Sequence, residues 1–225
     1  VAARAARAQV IVALGGAVID AGESIAALVP ARLPIMDHLE VVGQGLPLDA
    51  DPLPFIAVPT TAGTGAEVTK NAVIGVPSAR RKVSLRDNRM LPDLAVVDPA
   101  LTDGTPKSVT LASGLDAITQ VIEPYLSTKA NRLTDALCRD AIPLGLAALI
   151  RLTEAEDATA REDLAWVSLC GGLALANAGL GAVHGLAGPI GGAAPAPHGA
   201  VCGALLLAAN AKAAKGVAAG RISEV

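Results

Sequence analysis

The chain changes grammar at Asp98-Pro99, and this limits its architecture more than any other feature. Before that point, short β-branched runs alternate with glycine and proline turns. Val10–Leu14 (VIVAL) reads as a buried strand closed by Gly15-Gly16. Val18–Leu28 then carries helical spacing, and Phe55–Val58 (FIAV) is a second strand, stopped by Pro59. Val73–Val76 and Leu94–Val97 read as further strands. Strand, glycine turn, helix, strand is the pattern of α/β units with parallel pairing. After Pro99 the β signals nearly vanish, and Ala112–Leu126, Arg132–Leu152, Ala160–Ala178 and Ala200–Ala214 read as helices, the last continuing to about Gly216. Thr134-Asp135 and Asp157–Thr159 supply capping groups near helix starts. The expectation is a partial nucleotide-binding α/β domain over 1–99, followed by a helical domain over 100–225. The first reads as entering its sheet at a later strand and the second as ending without a closing helix, so a fragment is expected.

Composition narrows the function. Hydrophobic residues make up 52% and charged residues 17%, enough for a packed core and against disorder. One Trp, one Tyr and one Phe leave that core to aliphatic side chains. The net charge of -3, without a basic block, disfavours nucleic acid. The longest apolar region, Ala200–Ala211, is too short to span a bilayer, so no membrane role is expected. Arg4 and Arg7 flank no signal-peptide core. Cys138, Cys170 and Cys202 form no CxxC pair; they read as small buried hydrophobes, and a reducing cytoplasm fits.

Four segments could carry chemistry. Gly15-Gly16-Ala17-Val18 ends a strand and opens a helix, where backbone N–H groups suit a pyrophosphate, although many ordinary turns share this form. PTTAGTGAE (59–67) places hydroxyls and flexible backbone after a strand, as a phosphate or ribose loop would. Asp116, in SGLDAITQVIEPYLS, shares a helix face with Gln120, and Glu123 is a further turn on. A carboxylate there is a surface or capping acid, or else is held by a cation. His184 and His198 stand fourteen residues apart. Four glycines and three prolines lie between them, which reads as a structured loop rather than a continuous helix. Imidazole suits zinc or iron, though either histidine alone is more often a hydrogen-bonding group than a ligand. His38, without a partner in sequence, reads as a surface residue.

Taken in order, VIVALGGAVIDAGESIA, PLPFIAVPTTAGTGAEVTKNAVI, LPDLAVVDPALT, SGLDAITQVIEPYLS and VHGLAGPIGGAAPAPHGAV resemble the iron-containing (group III) alcohol dehydrogenase family, which includes lactaldehyde reductase and maleylacetate reductases. The resemblance implies a Rossmann-like N-terminal domain and a helical metal domain, in a dehydroquinate synthase-like architecture. It places Asp116, Gln120, His184 and His198 at metal-ligand positions. It places Gly15, Gly16, Ala17, Val18, Asp20, Thr60, Thr61, Thr64, Val73 and Lys82 at cofactor positions. The implied cofactors are NAD or NADP with Fe2+ or Zn2+, and a homodimer is expected. The implied reaction is hydride transfer between the nicotinamide and an alcohol, aldehyde or ketone, with the metal as Lewis acid.

This sequence departs from the family pattern at three points. Gln120 stands where a histidine is usual, and its neutral carbonyl oxygen binds Fe2+ or Zn2+ less well. Gly188 replaces the second histidine of HxxxH, and the usual GGGS reads GGAV. These departures keep two alternatives open: a maleylacetate reductase-like oxo-acid reductase with weak or no metal dependence, and a truncated non-catalytic relative.

Overall fold

The computed structural model describes residues 2–215 and 219–223. It divides into two compact units, Val1–Thr60 with Ala66–Val97, and Thr61–Gly65 with Asp98–Val225.

The first unit opens with a short helix α1 (Ala2–Ala5), then β1 (Ile11–Leu14), α2 (Val18–Leu28), α3 (Ile35–His38) and β2 (Phe55–Val58). β3 (Asn71–Val76), β4 (Arg81–Arg86) and β5 (Leu94–Ala95) follow. β1, β2 and β5 form one parallel sheet in that order, with Ile11 beside Phe55 and Leu14 beside Val58. α2 buries Ile19, Ala26 and Ala27. Its Gly22 permits close seating, because a Cβ there would lie 2.6 Å from the Ala13 methyl and 2.8 Å from the Phe55 ring.

The predicted strand at Val73–Val76 is longer by two residues and pairs antiparallel with β4, which the sequence did not suggest. RRKVSLR reads as a polar stretch, yet it alternates, and Val83 and Leu85 bury one face of the hairpin. The expected strand Leu94–Val97 is regular only over Leu94–Ala95. His38 is a correction: it is 3% exposed, not a surface residue. The chain after α3 folds back over it, so that Nδ1 lies 3.1 Å from the Leu46 carbonyl and Nε2 lies 3.8 Å from Asp49 Oδ1.

The second unit is built from α4 (Lys107–Leu126), α5 (Arg132–Glu154), α6 (Ala158–Ala178), α7 (Ala182–Ala193), α8 (His198–Ala213) and the short α9 (Ala219–Ile222). α5 begins with a capping box between Asn131 and Thr134, and Asp157 caps α6. α4 is the central element. Ala117, Val121 and Tyr125 pack with Cys138, Ala141, Val167, Cys170 and Ala174, while Ile118 and Ile122 meet Leu149, Leu152 and Leu164. All three cysteines are buried and free, as expected. The continuation of α8 to Gly216 falls outside the described residues.

One expectation about this unit is overturned. The stretch after His184 is not a loop: Ala182–Ala193 is α7, and only Ala194–Pro197 is irregular before α8. The glycines and Pro189 obscured a helix made largely of small apolar residues, with Val183 and Ala187 buried against Cys202.

Among the described residues, no single helix is long and apolar enough to cross a membrane.

Candidate metal centre

Three helices of the second unit converge on one polar cluster. α4 supplies Asp116 from its middle, 3% exposed, with Gln120 and Glu123 on successive turns of the same buried face. α7 brings His184 in its first turn, and α8 starts at His198. Gly199 makes the last approach possible, because a Cβ there would stand 1.8 Å from the Ala112 carbonyl oxygen and 2.9 Å from Asp116 Cβ. α8 can thus press its first turn onto α4, and His198 is delivered beside Asp116.

His184 Nε2 lies 3.2 Å from Asp116 Oδ1, and His198 Nε2 lies 3.7 Å from the same oxygen. The two imidazole rings are tilted by 52° with centroids 5.5 Å apart. Behind His184, Glu123 Oε2 lies 2.6 Å from Nδ1, and Glu123 Oε1 accepts the Val183 backbone N–H at 2.6 Å. A carboxylate on Nδ1 keeps a proton there and turns Nε2 toward Asp116, where it bonds Oδ1 when protonated and is free to donate its lone pair to an ion once that proton leaves. The loop before α7 comes close at Gly181, where a Cβ would meet Glu123 Oε1 at 2.7 Å.

The electrostatics match a site built for positive charge. Burial pushes the Glu123 carboxyl up, but its bonds to His184 and to the Val183 N–H outweigh this and hold it below the usual glutamate range. Burial lowers the His184 imidazolium, yet Asp116, Cys202 and Glu123 together raise it to about 11. These groups favour a proton on His184, and that proton occupies the place a metal ion would take.

The structure thus brings together Asp116, His184 and His198, three of the four expected ligands. Gln120, also buried, donates its amide Nε2 to the Thr64 carbonyl at 2.5 Å and lies against Gly171 of α6. Two residues escaped the sequence reading as parts of this cluster. Glu123 was visible only as a carboxylate one turn beyond Gln120. Cys202, one turn after His198, read as core; its Sγ lies 3.7 Å from His198 Nε2. The nearest ligand-capable atoms of Asp116, His184, His198 and Cys202 all fall within 4.8 Å of one another, and this donor set fits a divalent metal ion.

The positions expected to contact cofactor fall in both units. In the first, Gly15 takes φ +148 at the strand-to-helix turn and Ala17 is the N-cap of α2 without a side-chain capping bond. Asp20, in that helix's first turn, accepts the Val73 backbone N–H at 2.7 Å and so ties α2 to β3. Burial pushes the Asp20 carboxyl up, partly offset by this N–H and by Lys82. Lys82 pairs in register with Gly75 in the same hairpin. Thr60 ends the first unit's β2 segment. Thr61 and Thr64 lie on the loop of the second unit that Gly65, at φ +58, presses against Gly172.

A buried aspartate beside two partly buried histidines on converging helices, with donor atoms close enough for one ion, is a candidate metal centre, in a chain that also carries an α/β unit with a glycine turn. The chain belongs to the iron-containing alcohol dehydrogenase family: the family's model matches residues 1–99, and that of its C-terminal domain matches residues 110–225. It is 39% identical over 196 residues to alcohol dehydrogenase 4 of Schizosaccharomyces pombe, covering 86% of this chain and 45% of that protein. It is 42% identical over 165 residues to lactaldehyde reductase of Escherichia coli K12, covering 73% of this chain and 43% of that protein. Among solved structures, 1,3-propanediol oxidoreductase superposes with a TM-score of 0.86 at 34% identity, over 93% of this chain and 55% of that one. Sulfoacetaldehyde reductase from Bifidobacterium kashiwanohense, in complex with NAD+, superposes with a TM-score of 0.86 at 29% identity, over 94% and 56%. The chain spans about half the length of these relatives.

Proposed function

We propose that this chain carries the metal centre and part of the nucleotide site of an NAD(P)-linked alcohol dehydrogenase or carbonyl reductase. The observation that carries this reading is the convergence of Asp116, His184 and His198, with Glu123 fixing the tautomer of His184. Residues 1–99 serve as the nucleotide-binding part and 100–225 as the metal and substrate part. A divalent ion such as Fe2+ or Zn2+, when bound, would supply Lewis acidity toward a substrate oxygen.

The chain's own residues then have distinct tasks. Asp116 contributes the negative charge of the site, and His184 and His198 contribute neutral nitrogen donors. Glu123 keeps the Nδ1 proton of His184 and so aims Nε2 inward. Gly15, Gly16, Ala17 and Val18 present the first N–H groups of α2 to a pyrophosphate. Asp20 holds Val73 and with it the hairpin that carries Lys82, a cation suited to a phosphate or ribose partner. Thr60, Thr61 and Thr64 offer hydroxyls from the loop after β2. Gln120 retains a carbonyl oxygen as a candidate donor. The homodimeric, cytoplasmic form belongs to this same reading.

The experiment is elemental metal analysis of the purified chain with NADH titration by fluorescence, and alcohol oxidation before and after chelation. One equivalent of metal lost on His184→Ala or His198→Ala, with chelator-sensitive turnover, supports the reading. A metal-free chain that is fully active would overturn it.

A further inference from the structure

We propose that Cys202 is a ligand of this metal centre, closing as a thiolate the corner that Gln120 would otherwise occupy, and that the site therefore prefers Zn2+ to Fe2+. The inference rests on the metal-site reading above and goes beyond it in naming the fourth donor.

Geometry is the first argument. Donors around a four-coordinate zinc ion, with bonds of about 2.0–2.3 Å, stand roughly 3.3–3.8 Å apart. His184 Nε2 to Asp116 Oδ1 is 3.2 Å, His198 Nε2 to Asp116 Oδ1 is 3.7 Å, and His198 Nε2 to Cys202 Sγ is 3.7 Å. All four donor atoms fit inside 4.8 Å, so one ion can reach each with little movement. His198 and Cys202 are one turn apart on α8, the spacing that places two side chains on one helix face.

The second argument is what the other candidates are doing. Gln120 spends its Nε2 on the Thr64 carbonyl and lies along Gly171 of α6, which leaves it only a neutral carbonyl oxygen, a weaker donor to zinc than a thiolate. Cys138 and Cys170, equally buried, sit in the aliphatic cluster under α4. Cys202 shares apolar neighbours with Val183 and Ala187 but also reaches an imidazole, which a thiol placed only for packing does not need. On binding, the Cys202 S–H bond is replaced by a sulfur–metal bond and the proton passes to solvent. Thiolate is a soft ligand, which is the basis for the preference for zinc over ferrous iron.

The test uses the full 225-residue chain loaded with Co2+ and, separately, with Zn2+. The Co2+ form is expected to show a sulfur-to-metal charge-transfer band in the near ultraviolet. That band should persist in the double variant Cys138→Ser with Cys170→Ser and vanish in Cys202→Ser. Cys202→Ser should still bind Co2+, about 10–100-fold more weakly, and lose its preference for Zn2+ over Fe2+. X-ray absorption at the zinc edge of the unaltered chain needs no variant, and should show one sulfur at about 2.3 Å among nitrogen and oxygen donors. Metal bound through His184 and His198 without sulfur in either spectrum overturns the Cys202 assignment and leaves the metal-site reading standing. Failure of either metal to bind overturns that reading, and this inference with it.

Discussion

Both units bury carboxylates on apolar helices, and they neutralise them in opposite ways. In the helical unit, Asp116 and Glu123 meet His184, and the buried Arg161 is bonded to Glu156 and to the Thr110 hydroxyl. In the α/β unit, Glu23 on α2 is 1% exposed and neither of its oxygens has a hydrogen-bond partner among the described residues. Burial, aided by the nearby Asp20, pushes its carboxyl up to about 9, so it stays protonated at neutral pH. Glu67 in the same unit is also pushed up by burial. Partnered carboxylates mark a place where positive charge is wanted, whereas the lone carboxyl of Glu23 marks a place where the proton itself is the solution.

The largest expected effect comes from breaking the partnered arrangement. His184→Ala leaves Asp116 and Glu123 facing each other in a buried space without their shared cation. Unpairing a buried charge costs about 3–5 kcal/mol, and chemical denaturation of the metal-free protein should show a loss of that order. A loss below about 1 kcal/mol would mean that the pairs do not hold this cluster, and the comparison would fail. Next is Gly199→Ala, whose methyl would meet the Ala112 carbonyl oxygen at 1.8 Å. α8 must then retreat from α4, at a cost of about 3 kcal/mol. Metal affinity should fall with it, because His198 retreats with the helix; unchanged stability and affinity would show that the close approach is not needed.

The same contrast explains what could be read from the chain. Asp116, His184 and His198 were legible because their motifs announce them, and α2, α4, α5 and α6 because apolar spacing and capping residues agree with the packing. α7 was not legible, since four glycines and a central Pro189 within 182–193 argue for a loop, and only packing of Val183 and Ala187 overrides that local preference. β4 was hidden by its charged exposed face. Glu123 was hidden because its partner lies far along the chain, His184 coming sixty-one residues later, and Cys202 because a lone cysteine on an apolar helix reads as core until His198 is seen beside it. The burial of His38 depends likewise on a return of the chain to Leu46 and Asp49, which no local pattern encodes.

A third prediction turns on pH. Glu23 in the unfolded chain ionises through its ordinary value of 4.5, while in the folded chain it keeps its proton to about 9. Its contribution is fully present below pH 4.5, is lost progressively as pH rises between the two values, and is constant above. Glu23→Gln, neutral throughout, should remove that slope and be more stable than the unaltered chain by on the order of 2 kcal/mol at about pH 8, the linkage of about 5 kcal/mol being partly offset because a buried amide at this position would also lack partners. Thermal midpoints measured from about pH 5 to about pH 9 decide it. Parallel curves for the two proteins would show that Glu23 finds a partner or solvent after all.

The smallest effect belongs to Asp20, and it separates its two roles. Its Oδ1 accepts the Val73 N–H, and its charge is one of the reasons Glu23 holds its proton. Asp20→Asn keeps an acceptor oxygen and removes the charge, so stability should change by no more than about 1 kcal/mol. The pH slope attributed to Glu23 should become shallower, because its protonated form loses one source of support. In a Glu23→Gln background the same change should leave the pH profile unaltered in that range. The double-mutant cycle therefore isolates the coupling between the two carboxyl groups from the hydrogen bond to β3. A slope that Asp20→Asn flattens equally in both backgrounds would place the pH dependence on Asp20 itself, and the lone protonated carboxyl would then be the wrong description of the α/β unit.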